Sequence, residues 1–304
     1  MTEQPAKSKT QTGSHKPAAN YWVAAMPAMF VFLWSTGFIG AKYGMPYTEP
    51  FTFLSARFLL VVGLMLLLSI VTKAPWPTSI MATLHIAIAG VLVNAVYLGG
   101  VFASLHHGLP VGITALITGL QPILTAIFAV HLLGESVNRR QWLGIVTGFI
   151  GVVLVVAPKV GGPDSNLTGL WLAVIALFGI TAGTLYQKKF CGEMDLRSGS
   201  VIQFSCSLII ISLLAVYFET LEIQWTGEFI FALFWLVFIL SIGAISLLMV
   251  LIRRGAAAKV ASLFYLVPPV TALMSFFIFD EALGLTELIG MAAVVAGVAL
   301  VTRE

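Results

Sequence analysis

Residues 111–156 read VGITALITGLQPILTAIFAVHLLGESVNRRQWLGIVTGFIGVVLVV, and residues 257–302 read AAKVASLFYLVPPVTALMSFFIFDEALGLTELIGMAAVVAGVALVT. Laid side by side without a gap, at an offset of 146 residues, they agree at eleven of 46 positions. Leu and Val matches between two apolar stretches carry little weight. The pairs Pro122/Pro268, Glu135/Glu281, Gly144/Gly290 and Gly151/Gly297 carry more, because shared apolar bias does not place them. The same register pairs Gly37 with Gly183, Lys42 with Lys188 and Phe58 with Phe204 far upstream. The chain reads as an internal duplication.

The solvent of that duplication follows from composition. Of 304 residues, 59% are hydrophobic and 10% charged, whereas a soluble domain carries about 25% charge to face water. Lipid is therefore the expected solvent. A hydrocarbon core of about 30 Å takes about 20 helical residues at 1.5 Å each. Ten apolar windows of that kind occur, near 21–41, 51–72, 80–104, 111–132 and 140–158, then 168–188, 199–218, 229–251, 258–279 and 284–302. The expected fold is all-α and polytopic: ten transmembrane helices in two five-helix repeats, 21–158 and 168–304, joined by a linker at 159–167. Residues 1–20 are polar and read as a disordered cytoplasmic tail.

Five helices is an odd number, so the copies must enter the membrane from opposite sides and form an inverted repeat, a common basis of alternating access. Lys and Arg set the orientation. With the amino terminus inside, thirteen basic residues fall on inner segments, Lys42 and Lys159 fall outside, and Arg57 lies within a span. Both termini are expected to be cytoplasmic.

Several functions are disfavoured. Scattered basic residues give no nucleic-acid surface. Cys191 and Cys206 lack metal-ligand or disulfide spacing, and no H-E-x-x-H or nucleophile–base set points to an enzyme. No metal site or cofactor is expected. No ring of filter-like charges suggests a channel. A scaffold or signalling protein would need partner-binding regions that the short connectors do not supply.

The first span carries Trp34-Ser35-Thr36-Gly37-Phe38 and ends with Lys42, and the second carries Arg57-Phe58 after Pro50. The fourth and ninth have Pro122 and Pro268, followed by Gly134-Glu135 and Asp280-Glu281, and the fifth and tenth have the paired glycines. Together these resemble the EamA-like family of the drug/metabolite transporter superfamily across residues 21–302. The resemblance implies a ten-helix, two-repeat bacterial inner-membrane carrier, an exporter or exchanger of amino acids, related metabolites or drugs. The second half departs from the first in having Asp280 opposite Gly134 and no Trp opposite Trp34, so the halves are expected to line a cavity unequally.

Arg57 is the most informative residue. A charge at a helix centre costs about 2.5–3.5 kcal/mol on insertion scales and so faces protein or a watery cavity. It reads either as a ligand for an anionic substrate group or as a structural strut on backbone carbonyls. Trp34, Asn94, Tyr97, Thr118, Gln121, Tyr186 and Tyr265 sit at cavity depth, where substrate, water or neighbouring helices can satisfy them. Pro122 and Pro268 are hinge or gate candidates. Glu135 and Glu281, at symmetry-related helix ends, read first as fold-stabilising and only second as proton-coupling groups. The four histidines in or next to spans, His85, His106, His107 and His131, lie near helix ends, and His106-His107 is a weak candidate for pH sensing. Gly144, Gly148, Gly151, Gly290 and Gly297 suit close helix contact, inside the bundle or in a homodimer. No span has a carboxylate near its centre, which favours uncoupled export or exchange over a proton-coupled drug efflux carrier.

Overall fold

The structure, a computed structural model, describes residues 21–133, 138–156, 166–244, 247, 264, 266–281 and 284–302. The amino-terminal tail, Glu135, residues 159–165 of the linker and Tyr265 lie outside them. Helix α1 spans Tyr21–Gly44 and α2 Pro50–Val71, with Pro50 in the first helical turn, where its missing N–H is no loss. The next stretch is continuous: α3 (Ile80–Gly90), a π-helical segment (Val91–Leu98) and α4 (Gly99–His106). Then come α5 (Val111–Thr118), α6 (Gln121–Leu133), α7 (Arg139–Val156), α8 (Leu167–Phe190) and α9 (Leu196–Phe218). Helix α10 (Gly227–Phe234) runs into a second π-helical segment, Trp235–Ala244. Helices α11 (Val267–Phe279) and α12 (Leu285–Thr302) complete the described chain.

Four of these stretches are long and apolar enough to cross a membrane: Pro50–Val71, Ile80–His106, Leu167–Phe190 and Leu196–Phe218. Shorter apolar helices accompany them, and Leu59, Leu67, Ile70, Ile209, Val216 and Phe277 turn outward. So much exposed aliphatic surface requires an apolar solvent, and the chain is a multi-pass membrane protein.

The fourth apolar window is broken. Helix α5 stops at Thr118, Gly119-Leu120 form a turn, and α6 begins at Gln121. Pro122 cannot donate to the Thr118 carbonyl, so the ladder must lapse just there. Pro268 likewise sits in the first turn of α11, and its ring fills the space beside Gly119: a Cβ on that glycine would stand 2.8 Å from Pro268 Cγ. Helix α11 packs on α5 here, just before the break.

Close packing between α7 and α12 repeats the sequence symmetry. A Cβ on Gly151 would stand 2.6 Å from the Gly290 carbonyl oxygen, and one on Gly297 would stand 2.6 Å from that of Gly144. Since 144 maps onto 290 and 151 onto 297, one contact is the other with the copies exchanged. These glycines are used inside one chain. Similarly α1 packs on the second π segment while α8 packs on the first, and α2 packs on α9.

One end of the bundle is fastened by carboxylates. The side chain of the α2 N-cap, Glu49, makes no capping bond to its own helix. Instead Glu219, just beyond α9, accepts from the backbone N–H groups of Phe51 (2.7 Å) and Thr52 (2.6 Å) and from the Thr52 hydroxyl (2.7 Å). Glu49 in turn accepts from the N–H and hydroxyl of Thr220, at 2.6 and 2.7 Å. Gln224 N–H donates to the Tyr47 carbonyl at 2.9 Å, and the Thr48 hydroxyl to that of Glu222 at 2.9 Å. Nearby Glu281 accepts from Val111 N–H at 2.8 Å, capping α5, and from the Ser275 hydroxyl. The expected fold-stabilising role of Glu281 is thus an N-cap for a helix of the other half.

Candidate functional site

A cavity of about 180 Å³ lies where α1, α2, both π segments, α4, α8 and α9 converge. Trp34, Arg57, Asn94 and Tyr97 line it together, with Gly37, Phe38, Val93, Phe102, Ile180, Phe204, Leu240 and Ser241 among the other walls. Four of the residues singled out from sequence therefore share one space.

Arg57 lies seven residues beyond Pro50 in α2 and is 4% exposed. Its Nε has no hydrogen-bond partner, and neither has Asn94 Nδ2. A buried, unmatched donor costs about 1–3 kcal/mol, more when charged. Both residues border the same cavity. Trp34 is held from behind: its ring meets Phe264 edge-on at 5.0 Å and Phe30 at 5.5 Å. Phe58 meets Phe204 at 5.4 Å, and Phe53 meets Phe102 at 5.4 Å. Rotation of these aromatic walls is thereby restricted.

Both π segments border the cavity, a feature no residue pattern announced. The register carries 91–98 onto 237–244 (91 + 146 and 98 + 146), inside the second π segment. Widened helical turns of this kind occur often at functional sites. Here the Ser207 hydroxyl donates to the Gly90 carbonyl at 3.0 Å, directly before the first segment, and the Ser241 hydroxyl donates to the Leu236 carbonyl at 3.1 Å within the second. The same register pairs Trp34 with Ile180 and Asn94 with Leu240, and all four line the cavity. Arg57 corresponds to Gln203, whose amide instead donates to Gln187 at 3.3 Å. Trp34 and Asn94 thus have apolar counterparts, Ile180 and Leu240, while the second half contributes Ser241 as a polar wall residue. Ile180, Phe204 and Leu240 were legible only by projecting first-half residues through the repeat.

The other candidates lie elsewhere. The Thr118 hydroxyl is buried and donates to the Thr114 carbonyl at 2.9 Å, which satisfies it inside its own helix. Gln121 donates to the Thr184 hydroxyl at 3.2 Å. Tyr186 meets His85 Nδ1 at 2.8 Å, beside a His85–Phe190 stack at 4.6 Å. Neither Pro122 nor Pro268 lines the cavity. Among the described residues no group of three His, Cys, Asp or Glu could hold a metal.

A second, more open cavity of about 440 Å³ shares Val93 and Ile180 with the first. It continues past Thr184, Gln187 and Lys188 to Gly192, at the end of the bundle opposite the carboxylate clasp.

Comparison with known proteins bears on the family and the fold. The family model described as the EamA-like transporter family matches residues 22–157 and again 167–303. An uncharacterized transporter of Bacillus subtilis, YvbV, is 28% identical over 92% of both chains. The uncharacterized inner membrane transporter YedA of Escherichia coli is 26% identical over 91% of this chain and 89% of its own. A probable amino-acid metabolite efflux pump of Escherichia coli is 23% identical over 88% of this chain and 91% of its own. A solved crystal structure shares the fold with a TM-score of 0.63, at 18% identity over 93% of this chain and 96% of its own. Matched twice along its length, this chain belongs to the EamA-like transporter family, whose members are transporters and not enzymes.

Proposed function

We propose that the chain is a ten-span bacterial inner-membrane exporter or exchanger of small metabolites, operating by alternating access with the Arg57 cavity as its binding site. Its two five-helix repeats, 21–158 and 168–304, are inverted, and both termini are cytoplasmic. The observation that carries the reading is the pair of buried donors, Arg57 Nε and Asn94 Nδ2, left without partners in one cavity between the halves. A strut would be expected to end on carbonyls; a guanidinium with its Nε unmatched suits a ligand that arrives and leaves. The cost of a cation at this depth favours a functional role.

Basic residues place the Lys188 end inside, so the carboxylate clasp closes the outer face while the cavity communicates inward through Val93 and Ile180. That is the state in which an exporter loads. The relative named as a probable amino-acid metabolite efflux pump favours the same direction. With no carboxylate near a span centre, transport is uncoupled from protons.

The test is counterflow. Purified protein in liposomes preloaded with unlabelled metabolites is given the labelled compound outside, with no ion gradient. Overshoot for one compound, lost in Arg57→Ala, is the expected result. Overshoot that survives Arg57→Ala removes Arg57 from the site, and dependence on an imposed pH gradient removes the uncoupled mechanism.

A further inference from the structure

The charge balance of the cavity limits what it can hold. The chain has 13 Asp and Glu residues. The helices and π segments that wall the cavity contain none of them; the next acidic residue along the chain is Glu228, in the second position of α10, which leads into the second π segment. It lies twelve residues before Leu240 (240 − 228), about 18 Å along the helix. Residues 245–265, which follow in sequence, contain none. Glu49, Glu219 and Glu281 are engaged in the clasp, and Glu193 and Asp195 sit at the opposite end. Among the described residues, no carboxylate therefore lines the cavity beside Arg57.

An incoming ligand must supply both a negative charge and acceptors for Arg57 Nε and Asn94 Nδ2. A zwitterion supplies the charge but brings an ammonium with it, which leaves the net charge of the filled cavity at +1. That ammonium would meet mostly aromatic and aliphatic walls with no carboxylate to receive it, and burying an unpaired charge is costly. An amide, by contrast, offers acceptors without charge. The volume, about 180 Å³, slightly exceeds the roughly 150 Å³ that accommodates benzene in a dry cavity.

We propose that the cavity selects small organic monoanions, a carboxylate on an aromatic or branched apolar body, over the zwitterionic amino acid with the same body. The carboxylate lies on the first-half side against Arg57 and Asn94, and the body lies against Ile180, Phe204 and Leu240. The inference rests on the reading of this cavity as the substrate site.

Three probes with one body separate the terms: 3-phenylpropanoate, 3-phenylpropanamide and phenylalanine, titrated calorimetrically at pH 7.5 into the full-length protein in lipid nanodiscs. The acid is expected to bind at least about tenfold more tightly than either other probe, the scale of one charge-assisted hydrogen bond. Arg57→Gln, checked by thermal melting, is expected to bring the acid down to the level of the amide. Asn94→Leu, which keeps the cation, is expected to weaken the acid severalfold. Phenylalanine binding as tightly as the acid, with loss of both in Arg57→Gln, would overturn the charge selection and keep the cavity as the site. No binding of any probe, or unchanged binding in a folded Arg57→Gln, would overturn the site itself and the selection with it. If Arg57→Gln does not fold, unchanged acid binding in Asn94→Leu overturns the proposed orientation.

Discussion

Glu219 and Thr52 are joined twice: one carboxylate oxygen, Oε2, takes the Thr52 backbone N–H at 2.6 Å and its hydroxyl at 2.7 Å. The carboxylate follows α9, yet it caps α2, whose own N-cap residue leaves the helix uncapped. Removing a cap costs about 0.5–2 kcal/mol, and this one also ties two helices from different halves. Glu219→Ala is expected to lower the melting temperature by a few degrees. It should also raise labelling of an engineered Leu98→Cys by an impermeant thiol reagent from outside, with Cys191 and Cys206 replaced by Ser. Equal labelling with and without Glu219 would show that the clasp does not gate the outer face.

The reciprocal carboxylate gives a pH dependence. Hydrogen bonds from the Thr220 hydroxyl, and then from its backbone N–H, hold the Glu49 carboxyl below its ordinary range. A group depressed on folding stabilises above its unfolded pKa, about 4.3 for Glu, and that contribution fades as pH falls through the folded value. Melting should therefore be flat near neutrality and fall on acidification below the ordinary carboxylate range. In Thr220→Val the acid-dependent part of that fall should shrink. Because Glu49 is only partly buried, the effect is expected to be small and screened by salt.

Glycine positions give opposite expectations. A Cβ on Gly151 would stand 2.6 Å from the Gly290 oxygen, which is backbone and cannot turn aside, whereas a Cβ on Gly63 in α2 meets nothing within 4 Å. Overpacking costs about 1–3 kcal/mol, so Gly151→Ala should melt earlier. Gly63→Ala should melt no earlier, since Ala is the better helix former by about 0.5–1 kcal/mol. A destabilised Gly63→Ala alongside a neutral Gly151→Ala would contradict the α7–α12 contact.

Position in the cavity should separate the candidate polar residues. Asn94→Leu, which copies the second-half residue Leu240, is expected to reduce transport several-fold at a constant amount of folded protein. Thr118→Val and Gln121→Ala, which change groups satisfied away from the cavity, should leave KM within about twofold. This can be read from counterflow rates against substrate concentration. The reverse ranking would move the site toward the α5–α6 break.

Much of this was legible in sequence because apolar length, charge placement and repeat register are local properties. The helices fall where the apolar windows lie, the prolines mark the break before α6 and the start of α11, and the paired glycines announce backbone contact between α7 and α12. Arg57, Trp34, Asn94 and Tyr97 were found from cost and depth, since lipid makes any polar residue conspicuous. Depth alone misled for Thr118 and Tyr186. A threonine hydroxyl can return to its own helix and a tyrosine can reach a histidine one helix away, and neither choice leaves a trace in spacing.

By itself, then, the sequence determined the solvent, the helical segments and the duplication, because each follows from the free energy of placing side chains and backbone in lipid. Which of the buried polar groups remain unsatisfied was decided only by tertiary structure. The π-helical turns, the exchange of caps between Glu49 and Glu219, and the facing of Asn94 by Leu240 arise where helices distant in sequence meet. At those crossings, geometry determines which donor finds an acceptor and which is left without one.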